Sequence, residues 1–403
     1  MSVADLIDKI NATTDLLPTL PDAERRQLLQ ACEKLKEKLE TPFEAIARLV
    51  FSGHQAIAVR LGIDFKLFDA ITAKIGQPDE SITIPELAEA TGADPLLVVR
   101  LSRFLTAISV IKEVAEGRYS STPFSNALVS TAPLSSAVIH GTHFMSVLAK
   151  LPEYFKSKGL ESPGDAFDGP FQFAIDSPHY FDFLSTNAYY GQAFNTTMTM
   201  SFRRRGKDWF EFFPVAERLH VPNDTDTLIV DIGGSQGEDL KKFKAHFPTL
   251  PGKLILQDLP AVVEGAHDLP AGIVAQKYDF FQVQPVKNAK VYFMRTVLHD
   301  WPDKQAAQIL SQIRDAMGPD SVLLISETML PRTGVLLSSA LSDLQMMGSF
   351  ASLERTEAQW RALLEIAGLD LVQTWLPDDC DGSSQALADQ PALFEARKKD
   401  VME

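Results

Sequence analysis

A glycine-rich turn follows an apolar run in the segment TLIVDIGGSQGEDL. The run Leu228–Val230 ends in Asp231, and three glycines come next, at Gly233, Gly234 and Gly237. Glycine lets the backbone take strained dihedral angles and approach a ligand closely, as a nucleoside-binding turn between a strand and a helix requires. By itself, such a turn is equally compatible with a dinucleotide site.

Two further acidic residues follow later apolar runs. Asp258 comes after Lys253–Gln257 and 21 residues beyond Gly237, and Asp279 is followed by two phenylalanines, the first of them Phe280. An acid at the tip of the second strand can accept both ribose hydroxyls. A third acid could bind an adenine amino group while an aromatic ring packs on the base. Each acid alone could equally cap a strand end, but three at successive strand ends favour a nucleoside site over a dinucleotide site.

The segment VYFMRTVLHDWPD carries a histidine, His299, just past the next apolar run. Parallel sheets place their chemistry at the carboxyl ends of their strands. An imidazole with a pKa near neutrality can take a proton from a hydroxyl at cellular pH. A lone histidine beside an aromatic residue is more often structural, so this interpretation depends on the elements around it.

Those elements predict an α/β fold with a Rossmann-like parallel sheet. From Thr227 onward, helical stretches alternate with short β-branched runs, which are Leu228–Ile232, Lys253–Gln257, Lys290–Met294 and Ser321–Glu327. Such alternation is typical of parallel strands joined by crossover helices. We predict two domains, a helical and winged-helix domain over residues 1–125 and a catalytic domain over residues 126–403. The second divides into a helical, substrate-facing segment (126–221) and the Rossmann-like core (222–403).

The N-terminal domain shows a helix, turn, helix and hairpin order between residues 81 and 125, after an apolar helix predicted from Gln55 to Ile75. This order indicates a winged helix, a fold that often binds DNA. The segment nevertheless has four cationic and five anionic side chains, and the whole chain has a net charge of −15. A nucleic-acid partner requires a positive surface, so we predict none.

The amino-acid composition excludes further classes of protein. The 403 residues include only two cysteines, Cys32 and Cys380, too few and too far apart for a disulfide framework or a zinc site. We therefore expect no metal. The first residues lack the pattern of a signal peptide, and no apolar run is long enough to span a bilayer. We predict a cytoplasmic protein without a membrane partner.

Through these motifs, the sequence resembles the plant and fungal S-adenosylmethionine-dependent O-methyltransferases over roughly residues 50–395. The glycine turn, the HDWPD run, the SETMLP segment and ASLERTEAQW occur in that family's order and spacing. The resemblance implies that S-adenosyl-L-methionine is the cofactor and that the winged helix is a dimerisation domain, hence a homodimer. It also implies that His299 is the general base, flanked and oriented by Glu327 and Glu354.

The remaining site residues follow from the same resemblance. The cofactor would be bound by Asp231, Gly233, Gly234, Asp258, Leu259, Asp279, Phe280 and Arg295. The acceptor, a small aromatic or polyketide-type metabolite, would be bound by His140, Phe194, Met198, Asp300, Met346 and Met347. Asp300 and Trp301 would also support the catalytic loop. His140 and the Met and Phe residues are equally compatible with plain core packing.

Three features leave alternatives open. Ser235 occupies a position where the family usually has a third glycine. The run Arg203–Arg205 could steer an acidic substrate or simply be a solvated loop. The sequence is also similar to fungal pericyclases of the leporin type, which share the fold and bind the cofactor without transferring its methyl group. Such pericyclases have a cation in place of the catalytic histidine, and His140 or Arg295 would supply a donor in that case.

Overall fold

The computed structural model describes residues 2–13, 20–77, 79–200, 206–266 and 268–399. The chain divides into two compact units, Met1–Asn126 and Ala127–Glu403. The Arg203–Arg205 run lies outside the described residues. Within the described ranges, no helix combines the length and the apolar character needed to cross a bilayer.

The first unit is mainly helical and carries one small sheet. Its helices are α1 (Val3–Thr13), α2 (Asp22–Leu39), α3 (Pro42–Asp64), α4 (Leu67–Thr72), α5 (Ile84–Thr91), α6 (Pro95–Ala107) and α7 (Pro123–Asn126). Its strands are β1 (Ile82–Thr83), β2 (Lys112–Ala115) and β3 (Arg118–Ser120), which form an antiparallel sheet in the order β1-β3-β2.

The winged-helix elements begin where the local sequence supplies helix caps. Thr83 and Glu86 form a reciprocal capping box at the start of α5, and the Asp94 carboxylate accepts the backbone N–H groups of Leu96 and Leu97 at the start of α6. These side chains satisfy backbone donors that have no partner inside the helix.

The helix predicted from Gln55 is wrong in its bounds: α3 runs unbroken through Gln55 to Asp64.

The second unit contains the large sheet and the helices around it. Its helices are α8 (Pro133–Leu148), α9 (Leu151–Lys158), α10 (Pro170–Ala174), α11 (Tyr180–Thr186), α12 (Ala188–Thr199), α13 (Val215–Arg218), α14 (Glu238–His246), α15 (Pro260–Gly265), α16 (Asp303–Arg314), α17 (Leu337–Phe350), α18 (Glu357–Ile366) and α19 (Ser384–Asp389). Its strands are β4 (Thr227–Ile232), β5 (Lys253–Asp258), β6 (Ile273–Lys277), β7 (Val291–Arg295), β8 (Val322–Glu327), β9 (Met329–Leu330), β10 (Arg355–Thr356), β11 (Leu369–Trp375) and β12 (Ala392–Lys398). Short 3₁₀ turns span Trp209–Glu211 and Leu298–Asp300.

Seven strands form the large sheet in the order β11-β12-β8-β7-β4-β5-β6. The five strands from β4 to β8 run parallel, and β12 pairs antiparallel with both β8 and β11. Helices normally cover both faces of parallel strands in an α/β fold, and Val291–Met294 of β7 are fully buried. The α/β fold is thus as expected, and the carboxyl ends of β4, β5, β6 and β7 meet at one edge.

Candidate active site and cofactor cleft

The glycine turn sits at the end of β4 and leads into α14. Gly233 and Gly237 have positive φ angles of 72° and 75°, a region that L-residues with a side chain avoid. A Cβ atom on Gly233 would lie 2.8 Å from Val297 Cγ2, and one on Gly234 would lie 2.5 Å from Asp231 Oδ2. The turn therefore tolerates no side chain at either position, and both glycines are partly exposed.

Ser235 also adopts a left-handed conformation, with φ of 54°. The turn thus keeps the shape that a glycine would give it, at the cost of backbone strain in a residue with a Cβ. Asp258, the last residue of β5, stabilises this shape: its Oδ2 accepts the Ser235 N–H at 2.8 Å and its Oδ1 accepts the Leu259 N–H at 2.7 Å. Burial raises the pKa of Asp258, while the two backbone donors oppose the rise.

Asp231 is buried beneath the turn and interacts with three other charged groups, Asp239, Asp258 and Arg295. Arg295, at the end of β7, is ion-paired to Asp239 in the first turn of α14, with 2.8 Å between Arg295 Nη2 and Asp239 Oδ2. Burial and the neighbouring carboxylates of Asp239 and Asp258 raise the pKa of Asp231, and Arg295 partly offsets this. Asp231 Oδ2 has no hydrogen-bond partner among the described residues.

The end of β6 carries the third acid two residues beyond the strand. Asp279 Oδ1 accepts the Phe281 N–H at 3.0 Å, and the rings of Phe280 and Phe281 meet edge to face with centroids 5.2 Å apart. Both rings pack edge-on against Trp301, with centroid distances of 5.8 and 4.8 Å. The three acids and this aromatic wall therefore stand on adjacent strand ends of one sheet edge.

His299 lies in the 3₁₀ turn after β7, between two carboxylates. Its Nδ1 lies 3.2 Å from Glu354 Oε1, and its Nε2 lies 3.5 Å from Asp300 Oδ1. The side chains of His299 and Glu354 are only 12% and 2% exposed, so the pair is shielded from solvent. Ser352 Oγ donates to the His299 carbonyl oxygen at 2.6 Å and holds the turn in place.

Glu327, the last residue of β8, binds the backbone of the turn that carries His299. Its Oε1 accepts the backbone N–H groups of Val297, Leu298 and His299 at 3.0, 2.9 and 3.4 Å. Glu327 therefore fixes the backbone of this turn, whereas Glu354 and Asp300 lie beside the ring nitrogens of His299. A carboxylate is suited to this task because three converging N–H groups at the turn need an acceptor once buried.

The ionisation of this cluster is set by burial and by its neighbours. Burial opposes the charged imidazole, but the carboxylates of Asp300, Glu327 and Glu354 outweigh it and raise the pKa of His299 to about 10. In Glu327 burial acts in the other direction: it disfavours the charged carboxylate and raises the pKa of Glu327 to about 7. In Glu354 the hydrogen bond and charge of His299 overcome burial, so the pKa of Glu354 is lowered.

An aromatic cluster lies in the helical part of the same unit, with Phe144, Val147, Phe171, Tyr180, Leu184, Met346 and Phe350 as its buried members. Phe194 packs against it, and His140 contacts Phe144 and Phe194 with centroid distances of 4.9 and 5.5 Å. His140 Nδ1 lies 3.3 Å from the Tyr180 hydroxyl oxygen. The structure thus brings together His140, Phe194 and Met346. Met198 and Met347 are half-buried on α12 and α17 and are not among the described members of the cluster.

The sequence interpretation missed several residues of this region. His179 stacks on Trp301 with parallel rings 4.9 Å apart, and burial lowers its pKa to about 4, so the ring is neutral. Tyr180 joins His140 to the aromatic cluster, while Ser342 and Asp239 contact Glu354 and Arg295. The signal for Asp239 was present in QGEDL, where an acid in the first helical turn follows the glycine turn. Nothing comparable marks Ser342.

The charges at this edge discriminate between ligands. Within the described parts of the chain, Asp231 interacts with the carboxylates of Asp239 and Asp258 and with the guanidinium of Arg295, which is itself paired with Asp239. An excess of carboxylates opposes the pyrophosphate of a dinucleotide and favours a cationic ligand. S-adenosylmethionine carries a sulfonium and an ammonium group, and it fits the glycine turn and the unpartnered Asp231 oxygen. Fold and site together define an S-adenosylmethionine-dependent methyltransferase.

Comparison with known families agrees. The O-methyltransferase domain matches residues 180–370, and the O-methyltransferase dimerisation domain matches residues 50–131. The demethylsterigmatocystin 6-O-methyltransferase of Aspergillus flavus is 33% identical over 360 residues, which cover 89% of this chain and 91% of the relative. The chain belongs to the O-methyltransferase family, with fungal secondary-metabolite enzymes among its relatives.

Solved structures show the same fold over the whole length. The LepI complex with S-adenosylmethionine is 28% identical, with a TM-score of 0.81 over 99% of this chain and 100% of that one. OxaC in complex with sinefungin and meleagrin is also 28% identical, with a TM-score of 0.81 over 98% of each chain. A similar structure is described as a pericyclic reaction enzyme. S-adenosylmethionine is therefore the cofactor, whereas the reaction at the acceptor needs a separate argument.

Proposed function

We propose that this chain transfers the methyl group of S-adenosylmethionine to a hydroxyl of a small aromatic or polyketide-type secondary metabolite, with His299 as general base. The observation that carries the proposal is the shielded contact of 3.2 Å between His299 Nδ1 and Glu354 Oε1. A buried carboxylate on Nδ1 keeps the imidazole in one orientation. Nε2, which lies 3.5 Å from Asp300 Oδ1, is then the ring atom that would take the proton of the acceptor.

The cofactor-binding residues have separable tasks in this proposal. Asp258 and Leu259 would bind the ribose, Asp279 and Phe280 the adenine, and Gly233 and Gly234 would let the backbone approach the amino-acid part. The guanidinium of Arg295 could pair with the carboxylate of the amino-acid part, and Asp231 Oδ2, which has no partner among the described residues, could accept from its ammonium group. When bound, the cofactor supplies an already activated methyl on a sulfonium cation.

His299 must be neutral to accept a proton, although its pKa of about 10 makes it an imidazolium before any ligand binds. A cationic ligand at the same sheet edge opposes the imidazolium and lowers this pKa. A phenol loses its proton far more readily than an aliphatic alcohol, so a single imidazole can serve as the base for a phenolic acceptor.

The acceptor would be held near the aromatic cluster. Rings and thioethers there provide an apolar, planar surface, and His140 and Tyr180 provide polar atoms within it. Burial and the carboxylate of Asp300 raise the pKa of Tyr180, so this hydroxyl keeps its proton and can donate. We propose Phe194, Met198, Met346 and Met347 as the walls, with Asp300 beside the hydroxyl that reacts.

A pericyclase is the second candidate, and two observations favour it. The similarity to LepI and to the pericyclic reaction enzyme extends over the full chain. An imidazolium at His299 would also place a cation at the acceptor site, as such a reaction needs near a carbonyl. Arg295 is less suited to that role because it is ion-paired to Asp239.

Isotopically labelled methyl donor, offered with a panel of phenols and polyketides, tests the proposal. Label should enter the product, and His299→Ala should lower turnover by about 10²–10⁴-fold with little change in cofactor affinity. His220→Ala, at an exposed position, is the matched control. Conversion without label transfer, undiminished in His299→Ala, would instead identify a pericyclase.

We also propose that the chain forms a homodimer through its first unit. The dimerisation-domain match covers residues 50–131, and α3 exposes a row of apolar side chains with Phe43 81%, Leu49 63% and Val50 65% exposed. An apolar surface of this kind is normally covered by a partner.

A further inference from the structure

We infer that Ser342 is a positioning residue whose hydroxyl holds Glu354 and competes with His299 for the same carboxylate oxygen. The inference rests on the proposed role of His299 as general base. Ser342 lies on α17, one helical turn before Met346, and so connects the helix of the acceptor wall to the base.

The geometry places two donors on one acceptor atom. Ser342 Oγ donates to Glu354 Oε1 at 2.7 Å, and His299 Nδ1 lies 3.2 Å from that same oxygen. The other oxygen of Glu354, Oε2, is buried without a hydrogen-bond partner in the described parts of the chain. Of the two contacts, the one from Ser342 is the shorter.

Other groups around the pair hold the carboxylate in place from outside. Asp343 Oδ1, also on α17, accepts the Glu354 backbone N–H at 2.9 Å. The charged groups that face the pair are Asp300 beside His299, Glu327 on β8, Asp343 on α17 and Arg355 on β10. Unlike these charged groups, Ser342 is a neutral donor, and it donates to the same Glu354 oxygen that His299 contacts.

The consequence for the base has a definite sign. Donation from the hydroxyl stabilises negative charge on Glu354 and weakens its hold on a proton at His299 Nδ1. Without that donor, the carboxylate holds the imidazolium more strongly, and His299 stays protonated to higher pH. Ser342 thus keeps the imidazole closer to its neutral, basic form.

Ser342→Ala tests the inference, with Ser342→Thr as the conservative variant and Ser338→Ala, at an exposed position in the first turn of α17, as the control. Two readouts are needed: turnover with labelled methyl donor across pH, and titration of ring-¹⁵N-labelled histidine in the cofactor-free protein. The His299 resonance is identified by its loss in His299→Asn. We expect Ser342→Ala to lose about three- to tenfold in turnover near neutral pH, with the deficit shrinking as pH rises. Its His299 resonance should titrate at higher pH, and the other two variants should behave like the wild type.

A loss of equal size at every pH, with the titration of His299 unmoved, would show that Ser342 is only structural and overturn the inference. Unchanged turnover and titration would overturn it as well. If no variant transfers a methyl group but the titration of His299 still moves, the inference stands and the proposed function fails.

Discussion

Replacing Glu354 by glutamine removes the negative charge beside His299 Nδ1 while keeping the shape of the Glu354 side chain. The glutamine oxygen can still accept from His299 Nδ1, so the ring stays oriented, but the imidazolium that forms during proton transfer loses its counter-charge. Because the Glu354 and His299 side chains are 2% and 12% exposed, solvent screens their contact little.

A hydrogen bond to a charged group contributes about 1.5–3 kcal/mol. Tenfold in rate corresponds to about 1.36 kcal/mol, so turnover should fall by about 10- to 150-fold near the pH optimum. The pKa of His299 changes as well, and this change acts against the loss of turnover at low pH. Carboxylates raise the pKa of His299 to about 10, so removal of one lowers it, and the acidic limb of the turnover profile should move to lower pH.

The assay is single-turnover transfer of labelled methyl across pH, together with the affinity for S-adenosylhomocysteine. That affinity should stay within about twofold of the wild type because Glu354 is assigned to the base and not to the nucleoside. Glu357→Gln, which removes an exposed partner of Arg361, is the matched control. Unchanged turnover, or an acidic limb displaced to higher pH, would refute the assignment of Glu354 as partner of the base.

Three further predictions concern the cofactor cleft and the first unit. Asp258→Ala should weaken S-adenosylmethionine binding by about 1–3 kcal/mol, since it removes the proposed ribose acceptor and the anchor of the glycine turn; calorimetry that finds undiminished affinity would rule out this role. Ser235→Gly should raise the free energy of unfolding by about 0.5–1 kcal/mol, because relief of left-handed strain (about 1–2 kcal/mol) exceeds the added entropy of the unfolded chain. Denaturant titration should show no such gain for Ser235→Ala, which keeps the strain. Light scattering should give about twice the 44.5 kDa chain mass for the wild type and a shift toward monomer for Leu49→Asp; a wild-type monomer at micromolar concentration would contradict the dimer.

The sequence by itself determined the fold class and the edge of the sheet at which we propose that the chemistry occurs. Asp231, Asp258 and Asp279 follow apolar runs that must be parallel strands, and parallel strands end at a common edge. The glycine turn and His299 were readable for the same reason, because each depends only on its distance from the end of a strand. The residues at which helices of the first unit begin also depend on local sequence, since capping pairs such as Thr83 with Glu86 act within one helical turn.

Only the tertiary structure decided which atoms each of the site residues contacts. Glu327 and Glu354 looked alike in the sequence, yet one accepts backbone N–H groups and the other touches the imidazole, across separations of about 30 and 55 residues. Ser342 could not be recognised because its contact with Glu354 depends on how α17 packs against the catalytic turn. The placement of β12 between β8 and β11 was equally hidden, since antiparallel insertion into a parallel sheet leaves no local pattern. Spacing along the chain determines which residues reach the sheet edge, whereas packing between distant segments determines which atoms meet there.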